Sequence, residues 1–318
     1  MIKFGIIGTN KITDRFIQAG NGVEGFSLSA VYSRSIDRAK YFAYKYNVKS
    51  YFDDIEKMAN SNLVDAVYIA SPNSCHASQA IQIMEAGKHV LCEKPIAANK
   101  QELMLMIETA KRNNVVLLEA MRNIFTPTYK KIKDAIKQLG EIRRISFQYS
   151  QYSSRYDNFK NGIIENAFKP ELSNGALMDL GVYCIHPMVD IMGEPKDVKC
   201  ILTRLSNSID GSGDILFDYG SCIGRATFSK ITDNINTSFI EGEEATMYID
   251  HIADPTKIDI IYRNGNNESY KFNITNNNMA YEIEEFIRLI INNDVNNKYL
   301  STSILEMSVI DKVKNSNI

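Results

Sequence analysis

The chain has 318 residues but no tryptophan, only four histidines and seven prolines, and five cysteines. The cysteines (Cys75, Cys92, Cys184, Cys200, Cys222) stand singly, without a C-x-x-C pair or clustered histidines, so neither a zinc site nor a disulfide framework is signalled. They read as reduced, mostly buried thiols, and no metal is expected. An excess of one charge sign is also missing: 36 Lys+Arg against 38 Asp+Glu leave a formal charge of -2. Such a balance gives no global positive field to recruit nucleic acid or an anionic membrane surface. No apolar run reaches the length of a membrane span, and the N-terminus enters a strand pattern (Ile2-Lys3-Phe4-Gly5-Ile6-Ile7) without the regions of a signal peptide. The expected compartment is the cytoplasm and the expected partner a small molecule. What is present is bulk: 44% of residues are apolar, in a chain long enough for two domains and a substantial core.

Residues 1–120 alternate short β-branched runs with longer helical patterns, the rhythm of right-handed βαβ units. Strands are expected at 2–7, 28–33, 64–70, 89–92 and 115–119. A helix over 101–113 would place Leu103, Met106, Ile107 and Ala110 on one stripe. This half reads as an α/β Rossmann domain, a doubly wound parallel sheet that binds a dinucleotide. Residues 121–318 follow a different grammar. A helix over 127–139 leads to a strand at 142–150, an insertion, and a helix near 175–192. Strands with tight turns follow from Val198, including Asp218-Tyr-Gly-Ser221 and Asn264-Gly265, the dipeptide that a type I′ hairpin favours. Helices over 279–292 and 301–314 close an α+β domain with an antiparallel sheet. The asparagine-rich stretches 276–278 and 292–297 are natural breaks.

Gly8-Thr9-Asn10-Lys11-Ile12-Thr13 follows a strand and opens a helix, the context that a dinucleotide fingerprint requires. The usual G-x-G-x-x-G/A would have glycine where Asn10 stands and a small residue at Thr13. Asparagine tolerates left-handed backbone, so Asn10 is expected to keep the turn and bring its amide near a pyrophosphate. A plain strand-to-helix turn is the alternative. Ser33, Arg34 and Ser35 end the second strand, with Arg38 one turn on, where an acid would otherwise hold the ribose 2′-hydroxyl. Arg34 favours NADP(H) through a charge-assisted phosphate contact. NAD(H) is the other cofactor, with Arg34 solvated and Asp37 as the ribose acid.

Glu93-Lys94-Pro95 puts a lysine at the carboxyl end of the strand at 89–92, where open α/β sheets carry their chemistry. Asp179, Tyr183 and His186 are spaced i, i+4 and i+7, one face if the segment is helical. Gly181 costs such a helix about 1 kcal/mol against alanine, and reads as room for a nicotinamide or substrate. Carbonyl reduction needs a proton donor, and a free tyrosine with a pKa of about 10 is a poor one at neutral pH. Lys94 can lower that value and stabilise the developing alkoxide, with Asp179 orienting one of the two. The other reading is a core tyrosine and a helix-start carboxylate.

These residues are similar to those of the Gfo/Idh/MocA oxidoreductases, in the branch of dimeric dihydrodiol dehydrogenase and glucose-fructose oxidoreductase. The anchors are Gly5-Ile-Ile-Gly8-Thr9, Ser71-Pro72-Asn73-Ser74-Cys75-His76, Glu93-Lys94-Pro95, Glu119-Ala120-Met121-Arg122 and Gly175-Ala-Leu-Met-Asp179-Leu-Gly181-Val-Tyr183. The resemblance implies a Rossmann domain, a C-terminal domain with a large, mostly antiparallel open sheet used for homodimerisation, and a terminal helix packed back on the first domain. It implies catalytic Lys94 and Tyr183 supported by Asp179, and cofactor contacts from Ser71, Pro72, Asn73, His76, Glu93 and Arg122 beside the Gly8 to Ile12 turn. Many members carry histidine where Tyr183 stands and aspartate where His186 stands; the tyrosine therefore does not favour an inositol substrate. The insertion bearing Arg155, Tyr156, Asp157 and Asn158 is where family members gather substrate contacts, alongside Asp179, Tyr183 and His186; a solvated loop is the alternative. The expected activity is reversible hydride transfer to a sugar, polyol, dihydrodiol or small dicarbonyl. An NAD-dependent glycosidase without net redox change, and a non-catalytic dinucleotide sensor, are the competing functions.

Overall fold

The computed structural model describes residues 1–275 and 277–316. They form two compact units: Met1–Arg122 with Thr275–Ile304, and Asn123–Ile274 with the residues from Leu305 onward. Beyond the cut near residue 120, the first unit thus also includes a late stretch of chain. Of the break expected at 276–278, residue 276 lies outside the described residues.

The first unit alternates β1 (Ile2–Ile7), α1 (Lys11–Gly20), β2 (Phe26–Tyr32), α2 (Ile36–Lys45), β3 (Ser50–Phe52), α3 (Ile55–Ala59), β4 (Ala66–Ile69), α4 (His76–Glu85), β5 (His89–Glu93), α5 (Lys100–Arg112) and β6 (Leu117–Ala120). All its strand pairs are parallel, in the order β3-β2-β1-β4-β5-β6. The order reverses between β1 and β4, the crevice where such sheets bind ligands. β4 and β6 are buried along their whole length, as strands covered on both faces must be. The expected stripe on α5 is the buried one, Leu103, Met106, Ile107 and Ala110. Aromatic packing joins α1 to the sheet: Phe16 stacks on Tyr68 at 3.7 Å, and Phe4 lies 4.8 Å from Phe26.

The second unit opens with α6 (Pro127–Ala135), whose Thr126 hydroxyl accepts from Tyr129 N and whose first helical residue is a proline. Then come β7 (Ile142–Ser150), α7 (Tyr156–Lys160), a π-helical turn at Leu177–Gly181, and α8 (Val182–Met192). β8 (Asp197–Arg204), β9 (Asp210–Asp218), β10 (Ile223–Ser229), β11 (Ser238–Gly242), β12 (Ala245–Ile249), β13 (Lys257–Tyr262) and β14 (Asn267–Lys271) follow. The sheet order is β14-β13-β12-β11-β7-β10-β9-β8; β7 and β10 pair in parallel and every other pair is antiparallel. Alternation along β9 and β10 buries Ile215, Phe217, Ala226 and Phe228 and leaves Leu216 and Ile223 exposed. The β13–β14 hairpin differs from the type I′ expectation. Gly265 N donates to Tyr262 O, and Gly265, not Asn264, takes positive φ (+89°), the three-residue loop with a bulge glycine.

α9 (Met279–Ile291) belongs to the first unit and packs on α1, with Phe286 6.0 Å from Phe4. α10 (Tyr299–Asn315) starts in the first unit and continues in the second after Ile304. Among the described residues no helix is long and apolar enough to cross a membrane.

Candidate active site

In the first unit the expected site residues follow the carboxyl ends of β1, β2, β4, β5 and β6. Gly8 has φ +110°, and a Cβ there would stand 2.5 Å from Ala70 O, so only glycine brings the β1 and β4 ends this close. Asn10 does not behave as expected. Its backbone is extended (φ -115°), its Oδ1 caps α1 by accepting from Ile12 N and Thr13 N at 3.1 Å, and its Nδ2 donates to Ala70 O at 2.8 Å. The amide holds the turn to α1 and to β4 with no left-handed backbone, through Oδ1 and one of its two N–H groups. Thr13 is buried beneath this cap, which accounts for the second departure from the fingerprint. Arg38 reaches from α2 to the turn, with Nε donating to Thr9 Oγ1 at 2.6 Å and Nη2 to Thr9 O at 3.0 Å. Arg34 and Lys11 are exposed, and Ser33 is partly so.

The turn after β4 is braced from within. His76 is buried; its Nδ1 lies 2.9 Å from Pro95 O and its Nε2 3.0 Å from Ser71 O, so its ring links the turn after β4 to the one after β5. Burial pulls its pKa down, and a neutral ring donates to only one of the two carbonyls. The side chain expected along a cofactor therefore serves the backbone that carries Ser71, Pro72, Asn73 and Lys94. Glu119 braces the same loop, accepting from Ile96 N at 3.0 Å and from Ser303 Oγ at 2.6 Å.

Glu93 and Arg122 are also buried. Tyr68 OH donates to Glu93 Oε1, and Arg122 Nη1 donates to Asn278 Oδ1 at 3.0 Å. Burial pushes the Glu93 carboxyl up, opposed by Tyr68, Lys94 and Arg122. Glu282 of α9 is fully buried, and neither of its oxygens has a hydrogen-bond partner among the described residues. Burial and the nearby Glu93 push its pKa well above the usual carboxylate range. A network of Tyr68, Glu93, Arg122 and Glu282 thus underlies Lys94, which is half-buried at the strand end.

In the second unit Asp179 sits in the π turn with 43% of its side chain exposed, 2.9 Å from Lys230 Nζ. Tyr183 is buried, its ring edge-on to Tyr149 at 5.6 Å, and Tyr149 is edge-on to His251 at 4.9 Å. His186, in α8 with Tyr183, is buried with Nδ1 2.6 Å from Glu306 Oε2. Gly181 makes its close approach to the Phe228 ring, 3.1 Å from an added Cβ, so its reading as room for a ligand is corrected: core packing uses that space.

In the insertion, polar groups pair with one another. Arg155 Nε lies 3.3 Å from Glu165 Oε2, Asn158 Nδ2 donates to Glu165 Oε1 at 2.7 Å, and Asp157 accepts from Tyr152 OH and Lys160 Nζ. Tyr156 stacks on Phe168 at 5.8 Å. These contacts order the segment, while Arg155, Asp157 and Asn158 stay exposed. Lys230 and Glu282 escaped the sequence reading: a lysine just after one more strand and an acid in one more amphipathic helix carry no local mark.

Residues 2–121 match a family described as an oxidoreductase family with an NAD-binding Rossmann fold, and residues 129–248 match the GFO/IDH/MocA C-terminal domain. The chain is similar to scyllo-inositol 2-dehydrogenase (NADP(+)) IolU of Bacillus subtilis, at 48% identity over 92% of this chain and 89% of that protein. It is also similar to mouse trans-1,2-dihydrobenzene-1,2-diol dehydrogenase, at 25% identity over 81% of this chain and 77% of that one. Among solved structures, the 3-ketoreductase KijD10 of Actinomadura kijaniata in complex with NADP and TDP-benzene shares the fold, with a TM-score of 0.87 at 21% identity, covering 98% of this chain and 97% of that one.

Proposed function

Because the chain belongs to the Gfo/Idh/MocA oxidoreductases, acting on CH-OH groups, we propose that it catalyses reversible hydride transfer between NADP(H) and a cyclic polyol or related sugar. The observation that carries this reading is the carboxyl edge of the parallel sheet, where the Gly8 turn, the Arg38 guanidinium and Lys94 follow β1, β2 and β5 in the order that dinucleotide sites use. Gly8, at φ +110°, keeps that turn tight against the end of β4, as the first glycine of a dinucleotide turn does. Arg34 and Arg38, in place of an acid, suit a 2′-phosphate, and the NADP(+) in the name of the 48%-identical relative agrees. The bound nicotinamide supplies or takes the hydride.

In this reading Tyr183 moves the proton at the substrate oxygen, Lys94 stabilises the developing alkoxide and holds Tyr183 reactive, and Asp179 orients the substrate hydroxyl. Their joint role rests on the family pattern and on the experiment below. Tyr156, whose ring packs on Phe168 and lies under Lys160, is offered to the substrate by its hydroxyl, whereas Arg155 and His186 are assigned to their partners Glu165 and Glu306. Tyr183 alone points away from inositols; the substrate in the relative's name points back, so scyllo-inositol is the first compound to try.

The test is calorimetric titration with NADPH and NADH, followed by a polyol screen on nicotinamide absorbance. Arg34→Ala and Arg38→Ala should each weaken NADPH by about tenfold to a hundredfold, the worth of a charged hydrogen bond, and leave NADH nearly unchanged. Tyr183→Phe should keep cofactor binding and abolish turnover. Equal losses for both nucleotides would remove the phosphate role, and full turnover in Tyr183→Phe would remove the acid.

A further inference from the structure

Lys230 directly follows β10 and is 3% exposed, yet Asp179, its partner at 2.9 Å, is nearly half exposed. A surface Lys–Asp pair exchanges with water and holds little in place. A buried ammonium has no such freedom, because breaking its contacts leaves an uncompensated charge in the interior. The groups around it match its donors: Asp179 Oδ2, Ala167 O at 3.3 Å, and the face of Phe168 at 5.2 Å. Phe168 is itself fully buried and packs on Phe159 at 5.2 Å and on Tyr156, whose ring lies under Lys160 at 5.4 Å. A continuous stack thus runs from α7 to the acid in the π turn, with Lys230 as its joint. The buried Asp210, which accepts from Leu177 N, also feels the Lys230 charge, together with that of Arg204.

We propose that Lys230 is a positioning residue: its buried ammonium clamps the Asp179 carboxylate to the Ala167–Phe168 turn, so that the insertion bearing Tyr156 and the acid of the site are held as one piece. The consequence for catalysis rests on the assignment of Asp179 to the substrate; the clamp itself does not.

Two measurements on the full-length protein separate these statements. The first is the titration of the Asp179 carboxyl by carbon NMR, assigned through its loss in Asp179→Asn. Lys230→Met should move the midpoint up by about one pH unit or more, and Lys230→Arg should keep it near wild type. An unmoved midpoint in folded Lys230→Met overturns the clamp, whatever the substrate is. The second is steady-state kinetics on the polyol. Lys230→Met should raise KM about tenfold or more with NADPH affinity unchanged, and Lys230→Arg should recover most of the loss. If wild type turns over no polyol, the proposed function fails while the carboxyl titration still decides the clamp. Should Lys230→Met not fold, Phe168→Leu decides: it keeps the ion pair and removes the ring face, so a KM rise of about threefold supports the stack and an unchanged KM overturns it.

Discussion

Asn10 shows how a departure from a motif becomes intelligible once its hydrogen bonds are counted. Its side chain accepts two backbone N–H groups of α1 and donates to Ala70 O, ties that glycine cannot supply. Asn10→Ala should therefore cost about 1 kcal/mol, the usual worth of a cap, and Asn10→Gly only a few tenths, read as shifts in the urea midpoint. Restoring the usual glycine should not tighten cofactor binding. Glu282 makes a prediction of opposite character. Its folded pKa lies above its unfolded one, so its contribution to stability is full below about pH 4.5 and is lost as pH rises toward the folded value. Glu282→Gln, which cannot ionise, should gain stability relative to wild type between about pH 5 and pH 8. A difference independent of pH, in urea unfolding at several pH values, would show that Glu282 titrates alike in the folded and unfolded chains and that burial does not raise its pKa. Lys94 and Asp179 were legible in the sequence because strand ends and helical spacing are local signals. Lys230, His76 and Glu282 were not, since their roles depend on groups 51, 19 and 189 positions away in the numbering, at Asp179, Pro95 and Glu93.

At the level of elements, the strands and helices to which periodicity gave bounds lie within a few residues of them, because apolar alternation and 3.6-residue stripes are set by burial. It missed β3, whose three residues are too few to show a period and which exists through its pairing with β2. It also read residues 175–192 as one regular helix, where the chain inserts a π turn. The half-buried Asp179 lies in that wider turn, and the buried His186 in the regular helix that follows it. Gly181 sits at the end of the turn against a fully buried Phe228 ring. Alanine there would gain about 1 kcal/mol of helix propensity but meet a ring that cannot retreat, an overpacking of about 1–3 kcal/mol. Gly181→Ala should therefore be destabilising on balance. A more stable variant in chemical denaturation would mean that Phe228 yields.

For the whole molecule, the expected homodimer remains a proposal, and the sheet of the second unit offers a face for it. Ile201, Leu216 and Ile223 of neighbouring strands are 71%, 50% and 59% exposed, interleaved with Arg225–Asp214, an ion pair at 2.7 Å. If copies pair through this face, Ile201→Glu with Leu216→Glu should convert a dimer to a monomer in sedimentation, with NADPH binding by the first unit retained. An unchanged mass would place any interface elsewhere. The Rossmann half and the sheet-bearing half were both visible in the sequence, but the return of Thr275–Ile304 to the first unit was not, because nothing local in an amphipathic helix says which sheet it will cover. That return has a temporal consequence. A ribosome releases the strands of the nucleotide-binding unit first, yet α9, which covers α1, and Asn278, which receives Arg122, come only after Asn123–Ile274 of the other unit has emerged. The nascent chain must hold an unfinished half open while the later-made half assembles, so truncating it after residue 122 should yield an aggregation-prone fragment in place of a minimal cofactor-binding protein.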